Sequence, residues 1–215
     1  MLKIVAVADT HGNLPEIEPC DLFLLAGDFC PDGSTYFQEC WLDAAFKYWS
    51  KNIPAKKKIL VAGNHDFPFE SHKSKAVSLI GDFTYLQDDY CYYEDYKIYG
   101  LPWQLYNGGW AFNLYENDLA IKYSQIPNDT DIIVSHGPPH GYGDKIPRKH
   151  NDDNETTWPE PDHAGSPSLL AKIIEIKPKL VVFGHIHKGY GIYKLNDTII
   201  ANVACKPTLL TLPPI

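Results

Sequence analysis

Five short apolar runs, each ending in glycine or in side chains able to hold a metal, constrain this chain more than any other feature. Lys3 to Ala8 runs into Asp9-Thr10-His11-Gly12, and Leu22 to Ala26 into Gly27-Asp28. Lys58 to Ala62 leads into Gly63-Asn64-His65-Asp66, Asp131 to Val134 into Ser135-His136-Gly137, and Lys179 to Phe183 into Gly184-His185-Ile186-His187. Short runs rich in Val, Ile and Leu, without polar alternation, are the pattern of strands covered on both faces. Between them fall segments predicted as helices: Tyr36 to Lys51 with apolar Phe37, Trp41, Ala44, Ala45 and Tyr48, then Ala111 to Ser124, then Ser168 to Lys177 after Ser166-Pro167. Trp41, Tyr48 and Trp49 are expected in the core. Strand–helix alternation predicts an α/β layered fold, in which ligands gather at the carboxyl ends of strands. Every motif above sits at such an end.

Two further stretches, Phe83 to Leu101 and Gly189 to Ala204 with a turn near Asn196-Asp197, read as antiparallel pairs. His140 to Gly165 holds several Pro and Gly and many charges, and predicts a long loop; its place after His136 suggests a lid or substrate rim over 140–165. A length of 215 residues fits one domain, 1–215.

A net charge of -8 excludes the usual footprint of a protein that grips long nucleic acid through clustered Lys and Arg. Arg148 is the one arginine in the sequence, so a phosphate site built on bidentate guanidinium clamps cannot form, and something else must attract anions. The five cysteines, Cys20, Cys30, Cys40, Cys91 and Cys205, are odd in number and scattered, which suits a reducing compartment. The apolar run at Met1 to Ala8 is too short for a signal-peptide core, and no stretch approaches the roughly 20 apolar residues of a membrane helix. A cytoplasmic protein without membrane partners is expected.

Asp9 and His11 are two residues apart, as are His185 and His187, and on an extended chain such pairs point the same way. Adding Asp28, Asn64 and His136 gives seven oxygen and nitrogen ligands, enough for two ions if one carboxylate bridges them, and Asp28 is the expected bridge. Imidazoles with carboxylates, one amide and no thiolate suit transition ions over an all-oxygen calcium site: manganese first, with Fe, Zn, Ni or Co as alternatives. Two ions about 4 Å apart stabilise the attacking and departing oxygens of an in-line displacement and yield hydroxide at neutral pH. His65, beside Asn64, is free to protonate the leaving oxygen or to hydrogen-bond the phosphoryl group.

Each element alone is weak, because a lone Asp-x-His or buried histidine more often satisfies a hydrogen bond than binds a metal; five in matched positions reverse that balance. His72, His150 and His163 read as solvated loop residues, and His140 as a loop residue with a tentative substrate contact. Trp103 and Tyr142 could stack on a base at the mouth of the site or pack in the core.

Taken together, Asp9-x-His11, Gly27-Asp28, Gly63-Asn64-His65-Asp66, His136-Gly137 and Gly184-His185-x-His187 resemble the calcineurin-like metallophosphoesterase superfamily. That resemblance implies a four-layer α-β-β-α sandwich of two mixed sheets. It also implies one metal on Asp9, His11, Asp28 and His187, the other on Asp28, Asn64, His136 and His185, with His65 as the acid. Gly-Leu-Pro-Trp at 100–103, Trp110-Ala111-Phe112-Asn113, His136-Gly137-Pro138-Pro139 and Gly189-Tyr190-Gly191 resemble a narrower subgroup, the small metallophosphoesterase-domain-containing proteins related to a brain cyclic-nucleotide phosphodiesterase. Phosphoprotein phosphatases of the superfamily carry G-D-x-x-D-R-G, whereas this chain reads Gly27-Asp28-Phe29-Cys30-Pro31-Asp32-Gly33. The arginine is missing and the second Asp is displaced by one, which leaves the carboxylate partner of His65 unassigned.

These readings lead to an expected hydrolase in which a metal-bound hydroxide attacks small phosphodiesters such as cyclic nucleotides, contacting them through Asn64, His65 and His140. Its rivals are a broad phosphomonoesterase and a non-catalytic scaffold of the same fold.

Overall fold

The computed structural model describes residues 1–146 and 162–214. The five apolar runs become the strands Leu2–Val7, Cys20–Ala26, Ala55–Val61, Ile132–Ser135 and Leu180–Phe183. The first three are parallel neighbours in a five-stranded sheet ordered Thr208–Leu212, Leu2–Val7, Cys20–Ala26, Ala55–Val61, Thr84–Tyr85. A second, six-stranded sheet runs Gly191–Leu195, Thr198–Asn202, Leu180–Phe183, Ile132–Ser135, Tyr96–Leu101, Asp89–Tyr93, antiparallel at both edges and parallel in the middle.

Alternation along each strand sorts the core into three layers. Ile4, Ala6, Leu22, Leu24, Ile59 and Val61 point from the first sheet into a cluster shared with Ile98, Ile132, Val134, Leu180, Val182 and Ala201 of the second. On the outer face of the first sheet, Val5, Val7, Phe23, Leu25 and Leu60 meet Leu42, Phe46, Phe69 and Ala76 from the helical segments. On the outer face of the second, Ile133, Val181, Phe183 and Ile200 meet Leu119 and Tyr123 of the Glu116–Ser124 helix and Leu169 and Ile173 of the Pro167–Ile176 helix. The expected four-layer α-β-β-α sandwich is thus observed. Each fully buried Leu, Ile or Val contributes about 1.5–3 kcal/mol, so the strand ends that carry polar motifs are held on a rigid base.

Local departures have identifiable causes. The first predicted helix is an α-helix over Thr35–Trp41, capped by Ser34, a wide π-helical turn over Leu42–Phe46, and an α-helix over Lys47–Asn52. The buried face falls on Leu42, Phe46 and Ser50; Trp41 and Trp49 pack against it, whereas Phe37 and Tyr48 are exposed, contrary to the reading of Tyr48 as core. The helix predicted from Ala111 starts only at Glu116, because Phe112 has a φ of 54° in the left-handed region and Asn113–Leu114 pairs with Gln104–Leu105. Phe67–Ser71 and Lys73–Leu79 are helices that periodicity missed, being short. Thr84–Tyr85 pairs parallel to Ala55–Val61, so the antiparallel hairpin in that region is confined to Asp89–Tyr93 and Tyr96–Leu101. Ser166 and Pro167 start the Pro167–Ile176 helix as expected, and Lys177, at φ 52°, ends it.

The loop expected over 140–165 is not structureless in its described parts: Lys145–Ile146 pairs with Asp162–His163. Residues 147–161, on which most of the lid reading falls, lie outside the described residues. Among the described residues no helix is long and apolar enough to cross a membrane.

Candidate metal centre

The parallel strands of both sheets bring their carboxyl ends to one edge of the sandwich. Ala8 N–H donates to Val203 O at 3.0 Å and Cys205 N–H to Ala8 O at 2.8 Å, tying the end of one sheet to the end of the other. Asp9, His11, Asp28 and His185 all follow strand ends with positive φ, at 54°, 44°, 53° and 67°. A left-handed backbone is costly for residues with a Cβ, and four of the chemically competent side chains adopt it here. Gly27, at φ 88°, and Gly184 admit the neighbours: a Cβ on Gly27 would run into the His136 ring, and one on Gly184 into the Asp9 carboxylate.

Two groups of donors contain the expected ligands, and a third, His11, Asp32 and His65, shares His11 with the first. In the first, Asp9, His11 and His187 place one ligand atom each within 4.8 Å of one another. His11 Nε2 and His187 Nε2 are 3.4 Å apart, and His187 Nε2 lies 3.4 Å from Asp9 Oδ1. The Asp9 carboxylate is oriented by His185 N–H, which donates to both oxygens at 2.8 and 3.0 Å. In the second, Asp28, His136 and His185 converge in the same way. His136 Nδ1 donates to Ala26 O at 3.0 Å, so Nε2 is the atom that faces Asn64 Oδ1 at 2.9 Å and Asp28 Oδ2 at 3.3 Å. A ring nitrogen anchored to a backbone carbonyl is how metal-binding imidazoles are commonly aimed.

Electrostatics follow the same division. Burial opposes charge on His136, but the Asp28 carboxylate outweighs it and pushes the imidazole up to about 9. The same contact holds Asp28 well below the usual carboxylate range despite its burial. Burial, then the neighbouring His136, drives His185 down to about 4, which keeps it a neutral nitrogen donor. Burial also lowers His11, whereas the contact with Asp9 raises His187. Around His136 Nε2 a carboxylate oxygen and an amide oxygen share one proton position, a place that a cation with bonds of about 2.0–2.2 Å can take. The donor set therefore fits divalent ions.

Asp66 is the framework beneath these residues. Its Oδ2 accepts N–H from Gly63 and Asp28 at 2.7 and 2.8 Å, and its Oδ1 accepts from Phe29 and Cys30 at 3.1 and 2.8 Å. Burial and then the Asp28 charge push Asp66 up to about 7, against those four donors. One carboxylate thus locks the Gly27-Asp28 turn to the Gly63-Asn64 turn.

A cleft of about 510 Å³ opens over both groups, lined by His11, Asp28, Asp32, Asn64, His65, Asn107, Trp110, His185 and His187. His65 N–H donates to Asp28 Oδ1 at 2.7 Å, while its Nδ1 meets Asp32 Oδ1 at 2.8 Å. Asp32 is the carboxylate left unassigned by the displaced motif. Trp110 covers His65, ring to ring at 4.2 Å; the sequence showed it in the Trp110-Ala111-Phe112-Asn113 motif, after Gly108-Gly109, but gave it no role at the cleft. Trp103 instead packs on Phe112 and donates to Asp88 at 2.6 Å, and Tyr142 packs on Tyr193. His140 is not among the cleft residues: its ring lies 4.5 Å from that of His163, which is bonded to Asp144. His163 is therefore no solvated loop residue.

Two mixed sheets between helices, with carboxylates and imidazoles converging at strand ends, are the architecture of the metallophosphoesterase fold. Residues 2–189 match the model of the calcineurin-like phosphoesterase family, and the chain belongs to that family. Metallophosphoesterase domain-containing protein 1 of Homo sapiens is 30% identical over 229 residues, covering 94% of this chain and 65% of its own length. This chain thus spans just under two thirds of that relative. A UPF0046 protein of Caenorhabditis elegans is 31% identical over 229 residues, 94% of this chain and 75% of its own. A solved crystal structure at 14% identity superposes with a TM-score of 0.61 over 93% of this chain and 89% of its own, a likeness of fold.

Proposed function

We propose that this protein is a dinuclear metal-dependent phosphodiesterase acting on small substrates, with cyclic nucleotides first among them. In this reading Asp9, His11, Asp28 and His187 hold one ion and Asp28, Asn64, His136 and His185 the other, with Asp28 as the bridge and manganese as the first candidate metal. The observation that carries it is the convergence of two Asp/His groups on one cleft that also contains the Asp32–His65 pair. When bound, two divalent ions supply the Lewis-acid charge and the activation of water that the reaction needs.

The chain supplies the rest. Asp32 holds Nδ1 of His65, which leaves Nε2 to donate a proton to the departing ester oxygen. Asn64 fixes the phosphoryl group beside it, and Trp110 walls the leaving-group side of the cleft. His140, outside the cleft, is dropped as a substrate contact. No Lys or Arg lines the cleft among the described residues, which supports a diester monoanion over a monoester dianion that carries more charge. The five free cysteines support a reducing, cytoplasmic setting.

The test is turnover of bis(p-nitrophenyl) phosphate against p-nitrophenyl phosphate with Mn, Fe, Ni, Co and Zn, followed by cyclic nucleotides. Faster diester turnover is expected. A monoester turned over well beside an inert diester would replace this reading with the phosphomonoesterase, and inertness of every substrate with metals bound would leave the scaffold.

A further inference from the structure

We propose that His140, Asp144 and His163 form a third metal site, separate from the cleft, for a zinc-class divalent ion (Zn, Co or Ni). One ligand atom from each residue lies within 4.8 Å of the others. The histidines are partly buried and the Asp144 side chain is fully buried. The two imidazole rings are 4.5 Å apart at 46°, and His163 Nδ1 lies 2.8 Å from Asp144 Oδ1.

The carboxylate is prepared for this role. Asp144 Oδ2 accepts N–H from Gly141 and Gly165 at 3.0 and 3.1 Å, which fixes the plane of the group and leaves Oδ1 on the His163 imidazole. The backbone around it is zipped as well: His140 N–H donates to Ser166 O at 3.1 Å, Ser166 N–H to Pro138 O at 3.0 Å, and Ala164 N–H to Asp144 O at 3.0 Å. Two imidazoles and one carboxylate, with water completing a tetrahedron, are the donor set of zinc-class ions and a poor one for Ca or Mg. Around an ion with bonds near 2.0–2.1 Å, neighbouring ligand atoms stand about 3.3 Å apart. The present 2.8 Å contact reaches that spacing by a small rotation of the His163 ring as the ion replaces the shared proton.

The site is coupled to the main centre through Asn202. Its Nδ2 donates to Gly143 O and to Ile186 O, each at 2.9 Å, and Ile186 lies between His185 and His187. Gly143 also abuts Gly189 so closely that a Cβ on either would strike the other's backbone. An ion on His140, Asp144 and His163 therefore pins the 138–144 segment against the loop that carries two of the main-centre histidines.

The test uses the full chain carrying Asp28→Ala, which removes the proposed bridge, equilibrated with Zn, desalted and assayed for metal per chain. About one equivalent is expected to remain, and addition of His140→Ala or His163→Gln is expected to remove it or weaken it more than about tenfold. His140→Ala leaves the Asp144–His163 bond in place, so it decides the matter should His163→Gln fail to fold. Unchanged zinc content in the folded His140→Ala chain overturns the proposal. Zinc content on Asp28→Ala equal to that of the wild type, with one equivalent still lost through His140 or His163, would count against Asp28 as the bridge and leave this site standing.

Discussion

Asp32 Oδ1 stands 2.8 Å from His65 Nδ1 across the mouth of the cleft, with the Asp32 side chain 80% exposed and that of His65 20% exposed. Water screens a charge so placed, so its main contribution is to hold the ring with Nε2 inward. Asp32→Ala is expected to lower kcat by about tenfold with metal content unchanged, and Asp32→Asn, whose amide oxygen still accepts from Nδ1, by less. Steady-state kinetics beside metal analysis check this. A wild-type kcat in Asp32→Ala would show that the pair is decorative.

His65 and Asp28 separate chemistry from metal holding. His65 hydrogen-bonds the proposed ligands through its backbone N–H on Asp28 Oδ1, a bond that His65→Ala keeps, while its ring meets that of His11 edge-on at 4.7 Å. That variant is expected to retain its metals and lose turnover by about 10²-fold or more. Asp28→Ala removes an acceptor shared by His65 and His136 and is expected to impair both ions at once. Metal counts per chain, with turnover, test both; loss of a single ion in Asp28→Ala would deny it the bridging position.

Gly184 tests the geometry of the first group without touching a donor. A Cβ there would collide with Asp9 Oδ2 and Ala8 Cβ, both fixed in the packed junction between the sheets. Gly184→Ala is expected to cost about 1–3 kcal/mol, the usual penalty of overpacking, and to weaken metal binding by displacing the Asp9 carboxylate from His187. Thermal melting and metal titration give the two readouts. An unchanged metal affinity would mean that Asp9 is not held where its function requires.

The strands and the seven candidate donors were legible in the sequence because each depends on a local pattern: an apolar run, then a polar residue at a fixed offset. Asp32 and the Asp144–His163 bond were not, because their meaning comes from contacts over 33 and 19 positions that no short motif records; Trp110 stood in a visible motif, but its role comes from a ring 45 positions away. Asp32 illustrates the reason: displaced by one residue from the family pattern, it still reaches His65, since Asp66 gathers the N–H groups of Asp28, Phe29 and Cys30 and thereby sets the course of the loop. The helix over residues 35–52 was found but its buried face was misjudged at Tyr48, because a wide turn at Leu42–Phe46 alters the angular spacing on which the 3.6-residue period depends. Phe112 likewise gave no warning of its left-handed backbone.

Trp110 links substrate choice to His65. Trp110 is 42% exposed and lines the cleft, and its ring lies 4.2 Å from the His65 ring at 30° and 6.0 Å from that of Phe67 at 25°, so two neighbouring rings brace it while part of the residue stays open to solvent. A nucleobase stacked on an aromatic ring gains about 1–3 kcal/mol, equivalent to about 5- to 150-fold in affinity. Trp110→Ala is expected to raise KM for cyclic nucleotides within that range, Trp110→Phe to recover part of it, and neither to change KM for a diester of small aliphatic alcohols. If the ring serves only to brace His65, kcat falls for every substrate alike and KM stays constant, so the pattern across the two substrate types distinguishes base recognition from positioning of the acid.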